Sequence, residues 1–240
     1  MTTLLWGVLP YVTFALLVAG LVWRHRYDRF GRPARSSQVY ESKLLNIASP
    51  AFHYGILFVL VGHVVGLFIP ESWTDTLGVS EHTYHLFSLY GGTAAGVLTV
   101  AGILLLLYRR RANAPVFRAT TANDKLMYVV LLAAIVLGMV AELAHASGDG
   151  YDYRQSIAPW ARGLFALRPD TDLMAGVPVL YQVHAVFGMV LIALVPYTRL
   201  VHMFSAPVQY LFRPYVVYRA RDPRQLGPRP DKQGGETSRR

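Results

Sequence analysis

Four histidines lie where a membrane helix bundle can use them as iron ligands: His53 and His63 in the apolar run 49–69, His184 and His202 in the apolar run 178–204. An imidazole in lipid is costly without a partner, so an ionisable residue inside a membrane span is first of all a functional candidate. Two imidazoles on each of two antiparallel helices can supply the axial ligands of two haems. Bis-histidine ligation fills both axial positions, which suits electron transfer rather than oxygen chemistry.

Spacing sorts these residues into pairs. His53 and His63 are ten residues apart, so His63 lies about 15 Å farther along its helix and roughly 80° around it. The later run returns in the opposite direction, so depth joins His53 to His202 and His63 to His184. His184 and His202 are eighteen residues apart, five helical turns, which puts both on one face of a continuous helix. That interval rises about 27 Å against about 15 Å on the other helix; haem tilt, helix tilt and a kink at Pro196 must absorb the difference. Gly62, Gly66 and Gly188 flank the ligands and leave room either for a porphyrin face or for close helix packing.

The elements that must hold these residues are apolar spans. Of 240 residues, 53% are hydrophobic and 15% charged, and the mean hydropathy is +0.33. Five stretches are long enough to cross roughly 30 Å of hydrocarbon, near 3–23, 50–69, 87–108, 124–144 and 180–204. The expected fold is an all-α, polytopic membrane helical bundle. The first stretch has no basic flank before it and no small-residue cleavage site, so it reads as a retained span. Ser49 is the expected N-cap of the second span, with Pro50 at its first position. Asn123-Asp124 is a capping pair for the fourth. A loop before the third span carries His82, Tyr84 and His85, and residues 156–165 form an amphipathic turn at the interface. There is no internal repeat and no discontinuous helix pair of transporter type.

The net charge of +9 is a topology signal rather than a nucleic-acid footprint. Residues 24–49 carry six Lys/Arg, 109–123 carry four and the chain beyond His202 carries eight, while 70–86 carry none. Basic and non-basic segments thus alternate with the spans, and the positive-inside rule puts the N-terminus outside and the C-terminus in the cytoplasm. Arg109, Arg110 and Arg111 read as a stop-transfer flank. The basic segments also suit anionic lipid or a docked subunit. Residues 1–206 form the membrane domain and 207–240 a basic cytoplasmic tail. Tyr210–Arg221 mixes aromatics with arginines as a docking surface would, and the Pro/Gly/Arg-rich remainder lacks the means to build a core. There is no cysteine. Disulfides, thiolate-held iron–sulfur clusters and covalently attached c-type haem are therefore excluded, and any haem is held non-covalently.

With these features in place, the chain closely resembles the gamma subunit of membrane-bound respiratory nitrate reductase, a di-haem cytochrome b. The resemblance rests on Ala48-Ser49-Pro50-Ala51-Phe52-His53, Val61-Gly62-His63, Arg118-Ala119-Thr120-Thr121, His184-Ala185-Val186-Phe187-Gly188-Met189, Arg199-Leu200-Val201-His202 and Ser205-Ala206-Pro207-Val208-Gln209-Tyr210-Leu211, and on the two histidine spacings. It implies a subunit of a quinol:nitrate oxidoreductase in the cytoplasmic membrane, anchoring an iron–sulfur beta subunit and a molybdenum-containing alpha subunit that holds the nitrate site. It implies two non-covalent b haems, the distal one on His63 and His184 and the proximal one on His53 and His202. A quinol from the membrane pool, menaquinol by expectation, is oxidised near the outer face.

Better-known relatives present a lysine in the loop before the third span. This chain has Ser80-Glu81-His82-Thr83-Tyr84-His85 there, and His82 or His85 is the expected quinol partner and proton acceptor. Glu142 and His145, three apart on the fourth span, are either a proton exit or an interfacial pair. Arg199 is either a haem-propionate partner or a positive flank. His25 reads as an interfacial residue. Two other readings stay open. The cytochrome b anchor of a heterodisulfide-reductase-like or sulfite-reduction-linked complex would differ in its cytoplasmic partner. A transporter or non-redox membrane anchor would have no haem spectrum.

Overall fold

A computed structural model describes residues 2–27, 41–146 and 151–204. The expected docking segment 210–221 and the tail 207–240 lie outside the described residues. Five helices are long and apolar enough to cross a membrane: Thr3–Tyr27, Leu45–Phe68, Glu81–Ala112, Ala122–Ala144 and Val179–Tyr197. No more than 28% of any 18-residue span window is buried. Phe14, Phe58, Leu126 and Val129 point outward, each more than half exposed. Apolar surface on this scale would be a liability in water and is what a lipid-facing bundle presents. The described residues are helical throughout, with short connections, as the all-α expectation requires.

The first span opens as a π-helical turn, Thr3–Val8, and continues as α1, Leu9–Tyr27. The second span is α2, Leu45–Phe68, starting a full turn before Pro50. Ser49 is therefore not its N-cap. The orphan N–H of Leu44 is taken by Glu41 Oε1 at 2.7 Å, while the Ser49 side chain turns to His53. A short helix α3, Glu71–Thr76, leads to α4, Glu81–Ala112. Ser80 caps α4 by accepting from Thr83 N–H at 3.2 Å. His82 and His85 consequently lie in the first turns of a helix and not in a loop.

After α5, Ala114–Arg118, the fourth span is α6, Ala122–Ala146. Its N-cap is Thr121, with Asp124 as its partner, while Asn123 donates to the Tyr197 carbonyl. Thr121 Oγ1 accepts from Asp124 N–H at 3.2 Å and Asp124 Oδ2 accepts from Thr121 N–H at 2.9 Å, a reciprocal capping box. The amphipathic stretch is α7, Ile157–Phe165. It packs inward as well as lying across the bundle end: Trp160 donates to the Trp6 carbonyl at 2.9 Å, and the two indoles meet edge to face at 5.6 Å.

The fifth span is where expectation and structure differ most. Its α-helix, α8, runs only from Val179 to Leu194. A 3₁₀ turn Val195–Tyr197 follows, Thr198 is extended (φ −124°, ψ −176°), and a second 3₁₀ stretch covers Arg199–Phe204. Pro196 cannot donate to the helix ladder, and Thr198 departs from helical geometry altogether. His184 and His202 therefore do not share a face of one helix. The break at Thr198 ends the continuous helix between them.

Close packing sets the register. A Cβ on Gly55 would stand 2.7 Å from Thr99 N, and one on Gly102 would strike the Phe52 backbone, so α2 and α4 touch through glycine. Continuing this antiparallel register puts Gly62 and His63 level with Gly92 and Gly91. Gly20 of α1 lies against Pro196, so the first span covers the break in the fifth.

Candidate functional site

The fold brings the four histidines together in the pairs that depth predicted. The His53 and His202 rings are 5.9 Å apart between centroids, and so are those of His63 and His184; the interplanar angles are 70° and 39°. An imidazole binds a metal through nitrogen at about 2 Å, so an ion shared by two facing rings needs a centroid separation of roughly 6 Å. Among the described residues there is no group of three or more His, Cys, Asp or Glu able to enclose a metal ion. Two facing imidazoles without a third donor match an iron whose other ligands come from a macrocycle.

The hydrogen bonds set the tautomers. Nδ1 of His53 meets the Ser49 carbonyl at 2.7 Å, that of His63 the Val59 carbonyl at 2.8 Å, and that of His202 the Arg199 carbonyl at 2.6 Å. Nδ1 of His184 reaches across to the Ala134 carbonyl of α6 at 3.1 Å. A carbonyl only accepts, so each Nδ1 carries the proton and each Nε2 keeps its lone pair. This is how metal-binding histidines are oriented by their surroundings. At Gly62, Gly91 and Gly188 an added Cβ would meet nothing within 4 Å, which leaves space beside the His63–His184 pair; Gly66 instead sits against the Tyr153 hydroxyl.

Sequence reasoning missed the part played by α6. It supplies the Ala134 carbonyl, and Gly138 lies so close that a Cβ there would stand 2.8 Å from His184 Cε1. The only signal was one more glycine in an apolar span. It also missed the cluster at the same end of the bundle. Arg154, 6% exposed, donates to Glu81 Oε2 at 2.7 Å and Thr74 Oγ1 at 3.0 Å, and its guanidinium lies 4.0 Å over the Tyr84 ring. The Tyr153 hydroxyl is 3.4 Å from that of Tyr84. Burial, helped by this contact, raises the Tyr153 phenol above its usual range and keeps it neutral.

Other expected site residues fall elsewhere. His82 is exposed and His85 half-buried. In the α2–α4 register His85 stands about 9 Å along the axis from the level of His63. Arg199 is more than a lone positive flank. It grips Asp124 through Nε at 2.5 Å and Nη2 at 2.9 Å, and this bond raises its already high pKa. Arg109, 2% exposed, is more than a stop-transfer flank, since it donates to Glu41 Oε2 and to the Glu41 carbonyl, each at 2.6 Å. Glu142 does not reach for the interface. Its Oε1 is buried, has no hydrogen-bond partner, and would lie 2.7 Å from a Cβ on Gly92. The side chain of His145 lies outside the described residues.

The family model described as nitrate reductase gamma subunit matches residues 2–221. The chain belongs to the nitrate reductase gamma subunit family. It is 40% identical over 218 residues to the nitrate reductase gamma chain of Bacillus subtilis, covering 91% of this chain and 98% of that one. To the respiratory nitrate reductase 1 gamma chain of Escherichia coli it is 32% identical over 215 residues, 89% of this chain and 95% of that one. It is 54% identical over 224 residues, 92% of its own length, to the nitrate reductase-like protein NarX of Mycobacterium tuberculosis, and spans 34% of that protein's length. This gamma-subunit membership covers all five spans and all four paired histidines.

Proposed function

We propose that the chain is the membrane subunit of a respiratory nitrate reductase in the cell membrane, which oxidises a quinol near the outer face and passes its electrons inward to partner subunits. The observation that carries this reading is the pair of facing imidazole couples, each Nδ1 committed to a carbonyl and each Nε2 free. His63 and His184 would hold one b haem and His53 and His202 the other; bound there, each would supply reversible one-electron chemistry. The Ala134 carbonyl and Gly138 fix the plane of His184. The Arg199–Asp124 grip anchors the segment bearing His202.

Family membership supports a cytoplasmic iron–sulfur subunit and a molybdenum subunit as partners, with nitrate reduced on the latter. The alternating Lys/Arg distribution supports an N-terminus outside and a C-terminus inside. That orientation puts His63 and His184 on the outer side, where the protons of quinol can leave, and His53 and His202 on the inner side beside the partners.

The test is a purification from native membranes. Two low-spin b-type spectra, reduction of both by menadiol, and co-purification of an iron–sulfur subunit are expected. Absence of haem, or haem that menadiol does not reduce, would overturn the reading.

A further inference from the structure

One ionisable group inside the bundle has no task so far. Glu142 lies in the third α6 turn beyond Ala134, whose carbonyl holds His184, and one turn beyond Gly138, which touches that ring. Its carboxyl is seated on Gly92 of α4, the residue level with Gly62 beside His63. A carboxyl at this depth is expensive for a membrane protein and is a functional candidate by default. It is not consumed by structure: Oε1 is buried with no hydrogen-bond partner, whereas the ion pairs of Arg109, Arg154 and Arg199 all use other acids. Gly92 leaves the room the carboxyl occupies. Next to it, at Gly62 and Gly91, an added Cβ would meet no protein atom within 4 Å. An unengaged carboxyl thus flanks open space at the level of the His63–His184 pair.

We propose that Glu142 is the proton-accepting carboxylate of the quinol reaction, an inference that rests on the function proposed above. In the step, both quinol O–H bonds break. The two electrons leave singly to one-electron acceptors, the chemistry that haems held by the two histidine pairs would supply, and the quinol becomes the quinone. One proton passes to the Glu142 carboxylate, giving the neutral acid, which then returns it to water at the outer face; the second leaves directly to that water. His82 and His85, displaced along α4, are not required as the first acceptor.

The experiment uses the whole complex in native membranes, as wild type, Glu142→Gln, Glu142→Asp and Gly92→Ala. Glu142→Gln is expected to keep both haem spectra and full reduction by dithionite, while haem reduction by menadiol slows at least tenfold. Glu142→Asp should recover part of the rate. Gly92→Ala, which displaces the carboxyl, should slow it with haem content unchanged. Redox-triggered infrared difference spectra supply the second readout: wild type should show a carboxylic-acid carbonyl band that shifts in D₂O and is absent from Glu142→Gln. Should Glu142→Gln not assemble, the same band in wild type carrying ¹³C-glutamate must shift. A wild-type rate in Glu142→Gln overturns this inference and leaves the proposed function standing. A slowed rate with no carboxyl band in wild type makes Glu142 structural and also overturns it. Wild-type haems that menadiol fails to reduce overturn both.

Discussion

The two histidine pairs have the same ring separation, 5.9 Å, but are built differently. His63 and His184 lie on uninterrupted α-helices, and His184 is tied to a third helix through the Ala134 carbonyl. Of the other pair, His53 lies on α2 but His202 is in a 3₁₀ stretch beyond a break, its Nδ1 bonded only three residues back. That stretch is held to the bundle at Arg199, by Asp124. One pair is therefore positioned by helix packing, the other by an ion pair acting across a discontinuity. The rings tilt 39° in the first and 70° in the second, in keeping with different supports.

Removing the ligands tests the pairing itself and should have the largest effect. His63→Ala and His184→Ala should each remove the same haem spectrum, and His53→Ala and His202→Ala the other, leaving one haem per protein in every case. Distinct losses from His63→Ala and His184→Ala would break the comparison at its base; optical and electron paramagnetic resonance spectra decide it.

Crowding the packed pair comes next. Gly138→Ala would push a methyl into His184 Cε1. Changes to groups that orient a ligand commonly cost tenfold or more in affinity, so haem titration should give about tenfold weaker binding at one site and no change at the other. Equal weakening at both sites would mean that α6 does not single out the His184 pair.

The ion-pair support should yield less. Asp124→Asn leaves Arg199 with a weaker partner. Asp124 is 4% exposed but the Arg199 side chain is 22% exposed, so solvent screening reduces the loss to about 2 kcal/mol. On heating, the His202 haem should be released at a lower temperature than in wild type while the His184 haem is retained. Identical release of both would show that Arg199 does not anchor the 3₁₀ stretch.

The smallest effect is expected at Glu41, which caps α2 below His53. The Leu44 N–H and then Arg109 hold its carboxyl below the usual carboxylate value. A group whose folded value is lowered contributes stability above its unfolded value and loses it as pH falls through the folded one. Glu41→Gln should therefore lower the melting temperature slightly at neutral pH and leave it almost unchanged below the folded value, which flattens the acid limb. A wild-type acid limb in this variant would remove Glu41 from the support of the His53 side.

Sequence alone determined the five spans, because some twenty apolar residues in succession have few alternatives to a membrane helix. It also determined which histidines meet, since antiparallel helices of known rise leave one matching of depths. Absent cysteines and alternating basic segments narrowed the chemistry and the topology in the same way. Helix starts were less legible: Ser49-Pro50 looks like a cap, but Glu41 takes the Leu44 N–H, and of Asn123-Asp124 only Asp124 joins the cap, in reciprocal bonds with Thr121. Only tertiary structure decided the rest. The Ala134 carbonyl on His184, the Arg199–Asp124 and Arg109–Glu41 pairs and the seating of Glu142 on Gly92 all join residues remote in sequence. Local pattern fixes the axis and depth of a helix. Which side chains face one another across an interface depends on rotation and register, and those are set where glycines let backbones touch.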